Sequence, residues 1–130
     1  MPGRRRIPPL SPFEEEIGFT RAVRAGDTIH VSGITAVLPD GTIPPDAGAQ
    51  ADRCFQEIVR YVEELGGRRT DVVRVRMFVT DIKDADAVSA AFSRALKVAR
   101  PTGTLVQIAA LYRPEWKVEI EAEAIVDSVS

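Results

Sequence analysis

The segment Val118–Glu123 constrains the fold more than any other part of the chain, because it alternates apolar and acidic residues without a break. Successive side chains of a β-strand point to opposite faces of the sheet. Three carboxylates therefore share one face here, and three apolar side chains share the other. Like charges two residues apart repel one another, so the pattern indicates water, cations or a partner surface over the acidic face. An ordinary solvated strand face is the alternative.

Length and charge narrow the class of protein. A chain of 130 residues predicts a single domain with a core of its own. The net charge of −2 supplies no basic field for nucleic acid, so we expect no nucleic-acid partner. The run Arg4–Arg6 could touch RNA, but three arginines give little affinity. RNA cleavage is therefore the least favoured function.

The single cysteine and the single histidine exclude several kinds of site. Cys54 alone cannot form an internal disulfide, and it falls on a predicted apolar helix face. His30 alone rules out His-His metal motifs. We expect neither a metal nor a cofactor. No apolar run approaches the ~20 residues of a membrane span, and no secretory signal is visible, so we expect a cytoplasmic protein without a membrane partner.

Periodicity and turn residues predict the order ββ-α-β-α-ββ. Residues 1–13, rich in Pro and Arg, are interpreted as an N-terminal arm, and residues 14–130 as one domain. The predicted strands cover residues 17–24, 28–34, 72–80, 104–111 and 117–126, and the predicted helices run from about Asp46 to Leu65 and from about Asp84 to Ala99.

Two helices on one face of a single sheet is the simplest packing of these elements. The other face is then both charged and apolar, which predicts an oligomer interface with polar clefts. On strand 72–80, we place Val73 on the buried side with Val75, Met77 and Val79. The exposed face is predicted to carry Arg74, Arg76, Phe78, Glu119, Glu121 and Gln107.

Several short stretches, in order and with similar spacing, resemble the Rid family, also called the YjgF or endoribonuclease L-PSP family. No single stretch is specific, but together they cover about residues 17–126. They are Ala22–Gly26, Val31–Gly33, Leu65–Gly67, Asp71–Val73, Val79–Asp81, Val106–Leu111 and Val118–Ala122.

The resemblance implies an α+β, chorismate-mutase-like (YjgF-like) fold, with a mixed sheet, two helices on one face and a homotrimeric barrel. It also implies three ligand clefts between subunits. The best known members hydrolyse reactive enamines and imines to 2-keto acids and ammonia. In those members an arginine holds the substrate carboxylate, a glutamate on the last strand acts near the imine nitrogen, and a backbone carbonyl orients a water.

Transferred to this chain, the resemblance makes Glu119 the catalytic acid/base, and Leu105 the source of the backbone carbonyl. The arginine position is Gly103, which indicates a subfamily that lacks the catalytic arginine. Arg21 is the favoured replacement cation. The predicted substrate-binding residues are Arg21, Phe19, Ser32, Gly33, Gly103, Thr104, Leu105 and Trp116.

Two functions stay open at this point. One is hydrolysis of a small enamine, imine or related carbonyl metabolite in a cleft between subunits. The other is a trimer that binds a small metabolite, or regulates a partner enzyme, without turnover. Trp116 could wall the cleft or cover the trimer seam. Glu119 could instead be a structural ion partner of Arg74 or Arg76.

Overall fold

A mixed six-stranded sheet organises the computed structural model, which describes residues 3–128. In chain order the elements are β1 (Arg5–Arg6), α1 (Pro12–Ile17), β2 (Ala22–Ala25), β3 (Thr28–Ile34), α2 (Ala47–Glu64), β4 (Val72–Val79), α3 (Ala85–Leu96), β5 (Thr102–Gln107) and β6 (Val118–Ile125), with one-turn 3-10 helices at Arg69–Asp71 and Ile82–Asp84. The strand order in the sheet is β1-β2-β3-β6-β4-β5. Strands β4 and β5 pair in parallel, and the other recorded pairs are antiparallel.

The predicted order of strands and helices is confirmed from β2 onward, and the expected α+β fold class is confirmed too. The prediction of a strand over residues 17–24 is wrong at its beginning. Helix α1 ends at Ile17, Gly18 takes a left-handed conformation with φ of 95°, and β2 starts at Ala22. Pro12 in the first turn and Glu14, which accepts the backbone N–H of Ser11, favour a short helix there.

The part of the predicted arm within the described residues joins the sheet at its edge. Arg5 pairs with Arg24 of β2 and also reaches the C-terminus of α2, where its Nη2 lies 3.5 Å from the Glu64 oxygen. Arg24 Nη1 donates to the Leu65 oxygen at 2.9 Å. Cations are stabilising at a helix C-terminus, so both arginines stabilise the end of α2. Met1 and Pro2 of the predicted arm lie outside the described residues.

Both long helices pack on one face of the sheet, as predicted. The expected apolar stripe of α2 is buried along its length. Cys54 belongs to it, donates to the Ile34 oxygen, and has its pKa raised to about 12 by burial and by the charges of Glu119 and Glu57. Within residues 3–128 no helix has the length and apolarity needed to cross a membrane.

A β-bulge near the start of β4 shows that the prediction of a buried side chain at Val73 is wrong. Val72 pairs with Ala124 and Arg74 pairs with the preceding residue of β6, so Val73 is extra on its strand. An extra residue in one strand shifts the alternation on one side of it. Val72 therefore takes the buried position, with 1% exposure, and Val73 is only half-buried.

Candidate functional site

A β-bulge in β3 brings Ser32 and Gly33 close to β6 on the face of the sheet that the helices leave open. Val31 pairs with Ala122 and Ile34 pairs with Ile120, so two residues of β3 lie opposite one residue of β6. Both Val31 and Ile34 are buried under the helices. The two bulged residues, Ser32 and Gly33, therefore interrupt the alternation and lie beside the acidic face of β6.

Glu119 lies directly against Gly33. A Cβ atom added to Gly33 would be 2.6 Å from Glu119 Oε2 and 2.8 Å from its Cδ, closer than any ordinary contact. The residue at 33 must therefore lack a side chain for the Glu119 carboxylate to lie here. Burial, and then the charge of Glu121, raise the pKa of Glu119 above its usual range. A raised pKa makes the carboxylate a better proton acceptor and keeps its protonated form to higher pH than is usual for a glutamate, which suits a group that transfers protons.

The next carboxylates on β6 are paired with cations, whereas Glu119 has no cation partner among the residues that the structure describes. Glu121 Oε1 lies 3.3 Å from Arg76 Nη1. Glu123 lies 3.9 Å from Arg74 Nε and 3.0 Å from His30 Nδ1. No ion pair to Glu119 forms among residues 3–128, so the alternative that made Glu119 a structural partner of Arg74 or Arg76 is wrong.

Gln107, predicted on the exposed face of the sheet, lies on the other side. Gln107 pairs with Val79, which faces the helices, and its Oε1 accepts the N–H of Ile82 at 2.8 Å. Gln107 therefore does not lie on the open face. Val106 pairs with Phe78 and takes that place, with 41% of its surface exposed.

The segment Phe19–Arg21 is bound to the bulge through its backbone. Ser32 Oγ donates to the Thr20 oxygen at 2.7 Å, and the Ser32 N–H donates to the Arg21 oxygen at 2.8 Å. The Arg21 side chain instead binds Glu14, with Nε 3.2 Å from Oε2. No hydrogen bond or ion pair joins Arg21 to Glu119 in the described part of the chain.

The residues Gly103–Leu105 lie on β5, which forms one edge of the sheet. A Cβ atom on Gly103 would be 3.7 Å from the Phe92 ring, so position 103 faces the helices and not the side of Glu119. Thr104 pairs with Arg76 and shares its exposed face. Ile108 donates its N–H to Val79 across the strand pair, so by alternation the N–H and C=O of Leu105 point to the outer edge.

Sequence reasoning missed Gln50, which is fully buried and holds the loop before β6. Its Nε2 donates to the oxygens of Pro44 and Glu115, and its Oε1 accepts the N–H of Lys117. Trp116 also anchors this loop, because Nε1 donates to the Ala36 oxygen at 3.0 Å. A polar residue on the apolar side of a helix was the available signal for Gln50.

Among residues 3–128 no group of three or more His, Cys, Asp or Glu side chains is arranged to hold a metal ion.

Of the predicted site residues, the structure brings Glu119, Ser32 and Gly33 together within one chain. Phe19 and Arg21 lie beyond Ser32, whereas Gly103, Leu105 and Trp116 are fixed by other contacts.

Comparison with known proteins gives consistent matches. The family model described as endoribonuclease L-PSP matches residues 11–126. An uncharacterised protein of Streptomyces coelicolor is 34% identical over 121 residues, covering 92% of this chain and 90% of that protein. The 2-iminobutanoate/2-iminopropanoate deaminase of Escherichia coli K12 is 32% identical over 111 residues, covering 82% and 86%. A solved member of the YjgF/YER057c/UK114 family from Mycobacterium tuberculosis has a TM-score of 0.87 at 34% identity, covering 95% of this chain and 100% of that chain.

Proposed function

Because the chain belongs to the endoribonuclease L-PSP family, also known as the Rid or YjgF family, we propose that it hydrolyses a small imine or enamine in the cytoplasm. The products would be a carbonyl compound and ammonia. The relative of Escherichia coli named 2-iminobutanoate/2-iminopropanoate deaminase supports this reaction class. The substrate of this chain would differ, since Gly103 stands where we align the arginine that holds a substrate carboxylate.

The observation that carries the proposal is the environment of Glu119. It is the one β6 carboxylate of the open face without a cation partner in the described structure, and burial raises its pKa. Protonated, it can donate to the imine nitrogen, which makes the imine carbon more electrophilic. Ionised, it can accept a proton from the attacking water. The bulge at Ser32 and Gly33 leaves room for its carboxylate and lines the site with backbone.

The remaining parts of the site would come from a neighbouring copy in a homotrimer. Gly103 and Leu105 do not meet Glu119 within one chain, but β5 is an edge strand. The outward carbonyl of Leu105 could orient the water if a second subunit faced that edge. The substrate would be anchored by a cation other than a residue at 103. Arg21 remains our candidate, through the guanidinium nitrogens that Glu14 does not bind.

The test is release of ammonia from imines generated in situ by an amino-acid oxidase. We expect the protein to accelerate release, and Glu119→Gln to reduce the acceleration by about a hundredfold or more, the usual size of a general acid–base contribution. Glu123→Gln is the matched control, since it makes the same change on the same face at an ion-paired carboxylate. Equal rates for wild type and Glu119→Gln would refute the role of Glu119.

Binding without turnover is the second candidate, and the position of Gly103 favours it. Glycine offers no side chain to a carboxylate, and the Cβ direction at 103 leads to the Phe92 ring. If no imine tested is hydrolysed, light scattering would establish the assembly, and a thermal-shift screen with keto acids and amino acids would identify ligands. A ligand whose effect disappears in Glu119→Gln would support this second function.

A further inference from the structure

A cavity of about 510 Å³ lies between the N-terminal arm, α1 and the segment leading to β2. The bulge site, defined by Ser32, Gly33 and Glu119, does not line this cavity, although Phe19, one of the predicted substrate-binding residues, belongs to the cavity wall. One wall is apolar. Four arm and helix residues contribute charge. The lining includes Ile7, Pro9, Phe19 and Val23 on the apolar side, and Arg4, Arg6, Glu14 and Glu15 among the charged residues.

Strand alternation explains why two arginines line this cavity. Arg5 reaches the C-terminus of α2 on the side of the helices. Its neighbours Arg4 and Arg6 therefore point to the opposite side, where the cavity opens. Ile7 is 4% exposed and its N–H lies 3.4 Å from the Ala22 oxygen, so the arm is held against β2. The cations thus stand on an anchored strand.

Glu14 is buried in the cavity wall with one oxygen unpartnered. Its side chain is 2% exposed. Oε2 accepts the N–H groups of Leu10 at 2.7 Å and Ser11 at 2.9 Å, and also contacts Ser11 Oγ and Arg21 Nε. Oε1 has no hydrogen-bond partner in the described structure.

This carboxylate remains charged at neutral pH. Burial alone would raise the pKa of Glu14, but the N–H groups of Leu10 and Ser11 and the guanidinium of Arg21 outweigh that effect and lower it. An unpartnered oxygen of a buried anion is costly, and a donor supplied from the cavity would remove that cost. A cationic donor would gain the most, because the interaction would be charge-assisted.

We propose that this cavity binds a free α-amino acid with an apolar side chain. The ammonium group donates to Glu14 Oε1, the carboxylate lies between Arg4 and Arg6, and the side chain packs on the wall that includes Ile7 and Phe19. The three kinds of lining group match the three parts of such a molecule. An ordered water on Oε1 is the competing explanation, and it would leave the arginines and the apolar wall without a ligand.

Calorimetric titration of the full chain with L-leucine tests the site. We expect saturable binding, at one leucine per chain, within about 10 mM. Isopentylamine lacks the carboxylate and 4-methylpentanoate lacks the amine, and each should bind at least about tenfold more weakly. Absence of saturable leucine binding, or equal affinity for the three probes, would overturn the proposal.

Variants then assign each contact. Glu14→Gln keeps an oxygen for the Leu10 and Ser11 N–H groups but removes the negative charge. It should therefore weaken leucine binding about tenfold or more. Glu16→Gln makes the same change on α1 outside the cavity and should have no effect. An unchanged affinity in Glu14→Gln would mean that only a water occupies Oε1.

The double variant Arg4→Ser/Arg6→Ser should weaken leucine binding but not isopentylamine binding, because the amine has no carboxylate for the arginines to hold and is repelled by their charge. This comparison keeps the proposal testable even if Glu14→Gln does not fold. Glu119→Ala should bind leucine like the wild type. If Glu119→Ala abolished binding, leucine would occupy the bulge site and the cavity proposal would fail. The imine assay has no bearing on these titrations, so the two proposals can fail separately.

Discussion

Replacing Gly33 by alanine perturbs the candidate site directly. The added Cβ would lie 2.6 Å from Glu119 Oε2, whereas an ordinary contact needs at least 3.4 Å. The carboxylate must therefore move by about 0.8 Å. Because the end of a long side chain can move, we expect a stability cost of about 1 kcal/mol, at the low end for overpacking. A displacement of this size at a reacting group can lower the rate by about a hundredfold.

A double-mutant cycle separates this contact from other effects of the substitution. In a Glu119→Ala background the clash is absent, so Gly33→Ala should cost little stability there. The coupling free energy, measured by urea unfolding, should be about 1 kcal/mol. Imine hydrolysis by Gly33→Ala gives the second readout.

Gly48→Ala is the matched control for that cycle. Its Cβ would lie 3.5 Å from the Ala87 Cβ, an ordinary contact, so activity should stay near that of the wild type. Because Gly48 lies within α2, stability should be unchanged or higher by up to about 1 kcal/mol, and should not fall. The reasoning is refuted if Gly33→Ala costs the same stability in both backgrounds, or if it retains full imine activity where the wild type is active.

Two other substitutions test the structure through stability. Since the pKa of Glu119 is raised in the folded state, its favourable effect on stability is present below the unfolded value of 4.5 and is lost as the pH rises through the raised value. Glu119→Gln should therefore be more stable than wild type near pH 8 by urea unfolding, with the gain vanishing near pH 4; a constant difference at all pH values would contradict this. Gln50→Ala removes three buried hydrogen bonds and should cost about 2–4 kcal/mol, whereas a cost below about 0.5 kcal/mol would show that the loops hold without it.

Local patterns were sufficient for most of the elements. The period-two segment at β6 and the apolar stripe of α2 were placed on the correct faces, because burial on one side imposes alternation on a strand and a stripe on a helix. The wrong predictions fall where the same local sequence pattern is compatible with two different local structures. Val73 was assigned to the buried side because a bulge cannot be read from alternation alone. Helix α1 as a whole was missed, although Ser11 and Glu14 have the spacing of a capping box.

For the site, the sequence by itself determined that three carboxylates share one face of β6, and the family resemblance selected Glu119 among them. Only the tertiary structure decided that Glu121 and Glu123 are paired with cations while Glu119 lies against Gly33. The reason is that strand alternation depends on neighbours along the chain, whereas ion pairing and close approach depend on the register between β3, β4 and β6. That register is set by bulges and by burial of the opposite face, and both involve residues distant in sequence.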